Sequence, residues 1–163
     1  MQRRVAAMTV HIRPAEPDDE DALIGVLREL QDAERAMHPS RLPGREIDRF
    51  YYDRLRERGA DFLVAEHDGR PVGFVAGWLD VDDDPLQTPE WRRHGYVSDL
   101  FVANPWRGRG VAQRLLGAIA EVLRGRGAGR LRIGALCVNE PALAAFRRFG
   151  FEPFEVVLDL PLP

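Results

Sequence analysis

The stretch between residues 96 and 112 limits the fold more than any other part of the chain. It reads Tyr96-Val97-Ser98-Asp99-Leu100-Phe101-Val102-Ala103-Asn104-Pro105-Trp106-Arg107-Gly108-Arg109-Gly110-Val111-Ala112. The stretch over 96–102, ending in apolar Leu100-Phe101-Val102, predicts a strand, and Asn104-Pro105 breaks it. Apolar residues at helical spacing then predict a helix from about residue 108 to 123. The chain must therefore turn sharply from strand to helix on a few small residues. A helix start carries unpaired N–H groups and a partial positive charge. Gly108 and Gly110 let an anion approach the backbone, while Arg107 and Arg109 add charge. Such a turn is a candidate diphosphate cradle.

Three phosphate-binding patterns compete for this turn. A P-loop requires Gly-Lys-Ser/Thr, but Val111 and Ala112 follow Gly110. A dinucleotide fingerprint requires a third glycine, and Gln113 occupies that position. An Arg-x-x-Gly-x-Ala turn is matched by Arg107, Gly110 and Ala112.

The remaining chain supplies the partners of this unit. Alternation over 8–13 predicts a strand, after which Asp18 is positioned to cap a helix bearing Leu23, Val26, Leu27 and Leu30 on one face. A loop over 38–44 precedes a second helix carrying Ile47, Phe50, Tyr51 and Leu55, ended by Gly59. Strands over 62–66 and 72–79 flank Asp68-Gly69, a hairpin turn signal. An acidic loop covers 80–90. Beyond the central helix and the glycine-rich break at 125–129, a strand is expected over 131–138, a helix over 141–149 closed by Gly150, and a last strand over 154–160. This order implies an α/β fold of the α+β type, with one mixed, mostly antiparallel central sheet and helices on both faces.

At 163 residues and 45% hydrophobic content, the chain can build one core without a staple. A single domain over 1–163 is expected, with 1–7 outside its ordered part. The lone Cys137 rules out an internal disulfide and is expected inside a strand as a small apolar residue. The net charge of −3 makes no global case for nucleic acid. No apolar run is long enough to span a bilayer, and residues 1–8 lack the apolar core of a signal peptide. No membrane partner is expected, and the cytoplasm is the expected compartment. Met1 and Met8 are both candidate starts. No residue set has metal-ligand spacing.

The Arg107, Gly110 and Ala112 pattern resembles the pyrophosphate-binding motif of the GNAT superfamily of acetyl-CoA-dependent N-acetyltransferases. The apolar strand, Asn104-Pro105-Trp106 and the arginine that follow also resemble that family. Downstream, Asn139, Ala142, Phe146 and Phe149-Gly150-Phe151 resemble its second motif, which ends in a Gly-Phe pair. The two early helices and the Asp68-Gly69 hairpin match its N-terminal half, so the resemblance covers nearly the whole chain. It implies that the strand ending at Val102 splays from a parallel neighbour to admit acetyl-CoA, the co-substrate. Pyrophosphate would then lie on the amides of Arg107, Gly108, Arg109, Gly110, Val111 and Ala112. Pantetheine would follow Leu100, Phe101 and Val102, near Asn139 and Phe146. Asn139 can equally cap a helix.

The same resemblance implies an N-acetyltransferase whose acceptor is a small-molecule primary amine, attacking the thioester directly. Asp99 is the candidate catalytic base or acceptor-binding anion; a carboxylate holding structure at a strand bulge is its alternative. Glu34, Tyr51, Trp78 and Asp80 are the candidate acceptor contacts. His38, Tyr52, Asp82, Asp83, Asp84 and Trp91 lie in the segments from which family acceptor sites are built. Carboxylates with aromatics suit a cationic amine. Family members often carry a tyrosine where Phe146 stands, so the general acid is unassigned; Tyr51, Tyr52, Tyr96 or water are substitutes. Phe146 also motivates an acyl-CoA-binding sensor as an alternative. A protein or peptide acceptor is another, and a covalent Cys137 intermediate is an alternative mechanism. A homodimer is expected if 154–160 pairs with another subunit's edge.

Overall fold

The computed structural model describes residues 9–162. The expectations about residues 1–7, the start of the first strand at Met8, and the choice between Met1 and Met8 lie outside the described residues.

Five strands form one sheet in the order β1-β2-β3-β4-β5. They are β1 (His11–Pro14), β2 (Asp61–His67), β3 (Arg70–Val81), β4 (Arg93–Val102) and β5 (Leu131–Ile133). The first four pair antiparallel and β4–β5 is parallel. Asp68 and Gly69 turn the β2–β3 hairpin at φ 47° and 74°, the positive pair a type I′ turn demands.

Both sheet faces are covered. On one side, α1 (Glu20–Met37) and α2 (Arg49–Glu57) bury Leu23, Leu27, Tyr52 and Leu55 against Val64, Phe74, Ala76, Trp78 and Phe101. On the other, α4 (Val111–Gly125) buries Leu115, Ile119 and Leu123 against Leu63, Ala65, Val75 and Val97. Strands buried on both faces need apolar residues at every position. That accounts for the unbroken Phe62-Leu63-Val64-Ala65 run. A one-turn helix, α3 (Pro89–Arg92), lies at the end of the acidic loop, and α5 (Glu140–Phe149) packs beside α4.

Several local expectations are corrected. Asp18 does not cap α1. A 3-10 turn at Pro17–Asp19 leads in, and Asp19 is buried, holding Arg13 at 2.6 Å and accepting from the Glu16 amide at 2.8 Å. The strand expected over 131–138 stops at Ile133 because no neighbour remains to pair with residues 134–138. Cys137 is therefore in a turn and exposed, not inside a strand. The segment 154–160 is not a strand. It pairs with no strand, and Val156, Leu158 and Leu160 are exposed. Phe154 stacks on Trp91, with ring centroids 5.6 Å apart.

Candidate active site

The site starts from one extra residue. Ala76 pairs with Asp99 and Gly77 with Val97, so Ser98 is a bulge in β4. A bulge bends its strand and increases the local twist. The β4–β5 ladder accordingly runs from Gly95 to Val97 and stops before Ser98. Beyond it, the β4 edge facing away from β3 has no partner strand. The bulge also sets side-chain direction. Asp99 and Phe101 face α1 and α2, while Leu100 packs on the α4 side.

A cavity of about 500 Å³ opens beside this free edge. Leu100, Phe101 and Val102 line it from β4, and Trp106, Arg107, Gly108, Gly110, Val111 and Ala112 from the turn and α4. Asn139 and Phe146 close it from α5. Gly108 and Gly110 take φ 70° and 77°, which strains any residue with a Cβ. Apart from its own neighbours along the chain, no atom lies within 4 Å of where either side chain would begin, so the space over the turn is open. No side chain caps α4, which leaves its first amides free for an anion. Open space over uncapped amides, continued by an unpaired strand edge, fits a diphosphate followed by an extended polar arm. The residues present therefore fit coenzyme A.

The arginines of the turn act differently from one another. The Arg107 Nε donates to the Val102 carbonyl at 2.8 Å, and its guanidinium stands 5.5 Å over Phe101. Arg109 does not line the cavity; its Nε donates to the Pro105 carbonyl at 3.0 Å. Arg148 does line it, as do Leu30, Ala33 and Met37 of α1. Sequence reasoning missed these four because only tertiary packing brings α1 and α5 to the turn. Asn139 accepts from the Ala142 amide at 3.2 Å, so it caps α5 while facing the cavity. Trp106 is buried and packs against His67 at 4.5 Å.

A second cavity, of about 910 Å³, lies on the α1/α2 side. Asp99, Tyr51, Trp78, Asp80 and Glu34 all line it. Leu30 and Glu34 line both cavities, so the two adjoin at α1. Asp99 is 7% exposed, and burial pushes its carboxyl above the ordinary carboxylate range. The Tyr51 hydroxyl donates to this carboxylate, 3.2 and 3.3 Å from its two oxygens. Burial, followed by the nearby Asp99 charge, pushes the Tyr51 phenol up. Glu34 pairs with Arg41 at 3.0 Å, and Arg41 lines the same cavity.

The other acidic and aromatic candidates fall elsewhere. Tyr52 is buried against Phe62, with ring centroids 4.9 Å apart. Asp82 is held by Gln87 at 2.8 Å and Arg132 at 3.3 Å, which anchors the acidic loop. Asp82, Asp83, Asp84, Trp91, His38 and Cys137 line neither cavity. His38 is exposed and bonds Ser40 at 2.8 Å. Arg54 and Arg58 enter the second cavity unforeseen. Their spacing from Tyr51, three and seven residues, was the available signal.

The family model described as the acetyltransferase (GNAT) family matches residues 25–151. An uncharacterized N-acetyltransferase of Methanocaldococcus jannaschii is 34% identical over 110 residues, covering 67% of this chain and 47% of that protein. An N-alpha-acetyltransferase of Sulfurisphaera tokodaii is 27% identical over 110 residues, 66% of each chain. This chain thus spans about half to two-thirds of these relatives' lengths. The solved structure of the aminoglycoside N-acetyltransferase AAC(6')-Iy in complex with CoA superposes with a TM-score of 0.69 at 20% identity. That superposition covers 94% of this chain and 99% of the other. With the family model matching most of its length, over residues 25–151, the chain belongs to the acetyltransferase (GNAT) family.

Proposed function

We propose that this protein transfers an acetyl group from acetyl-CoA to a primary amine, with the amine attacking the thioester directly. The observation that carries this reading is the bulge at Ser98, which turns Asp99 into the second cavity while the next residues line the first. When bound, acetyl-CoA supplies the acetyl group as an activated thioester. Arg107, Gly108, Gly110, Val111 and Ala112 would hold its diphosphate, and the free edge at Leu100, Phe101 and Val102 its pantetheine arm.

The remaining chemistry belongs to side chains of this chain. A primary alkylammonium has a pKa near ~10.4, so it must lose a proton before it attacks. Asp99 takes that proton. Its raised pKa makes it a better proton acceptor than an exposed carboxylate, provided that it is ionised. Tyr51 holds the carboxylate by hydrogen bond. Tyr96 lines the same cavity, and its ring favours the cationic form of the amine on entry. Phe146 offers no proton to the departing thiolate. An ordinary thiol ionises near ~8.5, so water can supply that proton.

The test is thiol release from acetyl-CoA across amines of different class. Release that depends on one class is expected. Tight coenzyme A binding without release for any amine would support the acyl-CoA sensor, the reading that Phe146 favours. Release with peptide amines alone would move the acceptor to proteins.

A further inference from the structure

The acceptor cavity is acidic at its floor and basic along one wall. One face of α2 carries Tyr51, Arg54 and Leu55, and Arg58, the residue at its C-terminal cap, continues that face at seven residues from Tyr51. Residues so spaced share a helix face. Tyr51 reaches Asp99 and Leu55 is buried in the core, so this face is pinned to the sheet. Arg54 and Arg58 are thereby carried into the cavity wall.

Their charges have no carboxylate partner among the described residues, whereas Arg41 in the same cavity pairs with Glu34. Instead, each guanidinium stands over a ring. Arg58 is 5.3 Å from the Trp78 centroid and Arg54 is 6.0 Å from the Phe50 centroid. Stacking of this kind leaves the N–H edge open, and that edge matches an oxyanion in two-pronged geometry. The carboxylates at the mouth are directed elsewhere. Asp48 accepts from the Phe50 amide at 2.9 Å. Asp80 accepts from the Val81 amide at 3.1 Å and faces His94 at 4.0 Å. Glu46 lies 4.0 Å from Arg45.

We infer that the acceptor is a zwitterion: its amine meets Asp99 and a carboxylate or phosphate at its other end meets Arg54 and Arg58. This rests on the transferase reading above, since Asp99 defines the amine end. The seven residues from Tyr51 to Arg58 span about 10 Å of helix axis. An ω-amino acid, a short peptide or a phosphorylated amine has the reach. Polyamines, which are cationic at both ends, meet like charge on this wall.

The experiment uses amines of matched length ending in a carboxylate, a phosphate, a neutral amide or a second ammonium. Turnover is followed by thiol release, and binding of the same amines by calorimetry in the presence of coenzyme A. The anionic-ended amines are expected to exceed the neutral one by about tenfold or more in kcat/KM, mainly through KM, and whichever oxyanion wins names the source. The double variant R54Q/R58Q should erase that preference. R56Q lies on the same helix outside the cavity and removes the same helix-end charge, so it should preserve the preference. Equal or better use of the neutral or cationic amine, or a preference unaffected by R54Q/R58Q, overturns the inference. Arginine-dependent binding of anionic amines without thiol release overturns the transferase reading alone. Absence of binding by every anionic amine, with coenzyme A bound, overturns the inference alone.

Discussion

Asp99 gives up solvent without gaining an arginine partner, which is why its carboxyl ionises above the ordinary range. A folded-state pKa above the unfolded value means that the folded chain binds the extra proton. Stability contributed by that proton is therefore present in acid and lost as the pH rises through the raised value. Asp99→Asn is expected to melt above the native chain at neutral pH, with the gap closing as pH falls toward about 4. The same variant should lose about 10²- to 10⁴-fold in kcat, the range for removing a general base, with coenzyme A affinity unchanged. A variant retaining full kcat would remove Asp99 from the chemistry. Tyr51→Phe tests the hydrogen bond. Donation to a carboxylate favours its charged form, so its loss raises the Asp99 pKa further. The acid limb of the pH–rate profile should move to higher pH.

Two short elements position the site: the Ser98 bulge and the turn before α4. Gly110 adopts φ 77° with open space around it, so Gly110→Ala meets no clash and its effect is backbone strain. A cost of about 1–2 kcal/mol is expected for a left-handed residue with a Cβ, read by denaturant unfolding. Coenzyme A affinity should fall as well, because the turn's amides shift. A variant of native stability with native affinity would dissociate the turn from diphosphate binding. A strand bulge at Asp99 was one expectation from sequence, but its place at Ser98 was not legible there. Tyr96-Val97-Ser98-Asp99-Leu100 places two polar residues side by side, and only pairing with β3 shows that Ser98 is the extra residue. On strict alternation Asp99 would share a face with Val97, which packs toward α4.

The cavity beside the free β4 edge is assembled from α1, β4, the turn, α4 and α5, so a ligand bound there would bridge several elements. Coenzyme A at a hundredfold excess over its Kd should stabilise the fold by about 2.7 kcal/mol, measured as a rise in Tm. No shift at any concentration would count against the cavity as its site. Across the molecule, the parts legible in sequence were those governed by local physics. Glycines at a helix start, an Asp-Gly hairpin, apolar runs doubly buried and an Asn before a helix each act within a few residues. The motif around Arg107 to Ala112 was legible for the same reason. What tertiary structure decided was pairing and convergence. Residues 134–138 and 154–160 have strand-like composition, yet a strand exists only where a neighbour offers its edge, and β4 has bent away from the first. Asp82 has the same charge as Asp99, but Arg132 and Gln87 claim it while burial isolates the other. Arg54 and Arg58 look like ordinary surface charge until Tyr51 and Leu55 pin their helix face against the sheet. Local propensity travels along the chain, whereas the charge and shape of a cavity depend on which distant segments meet there.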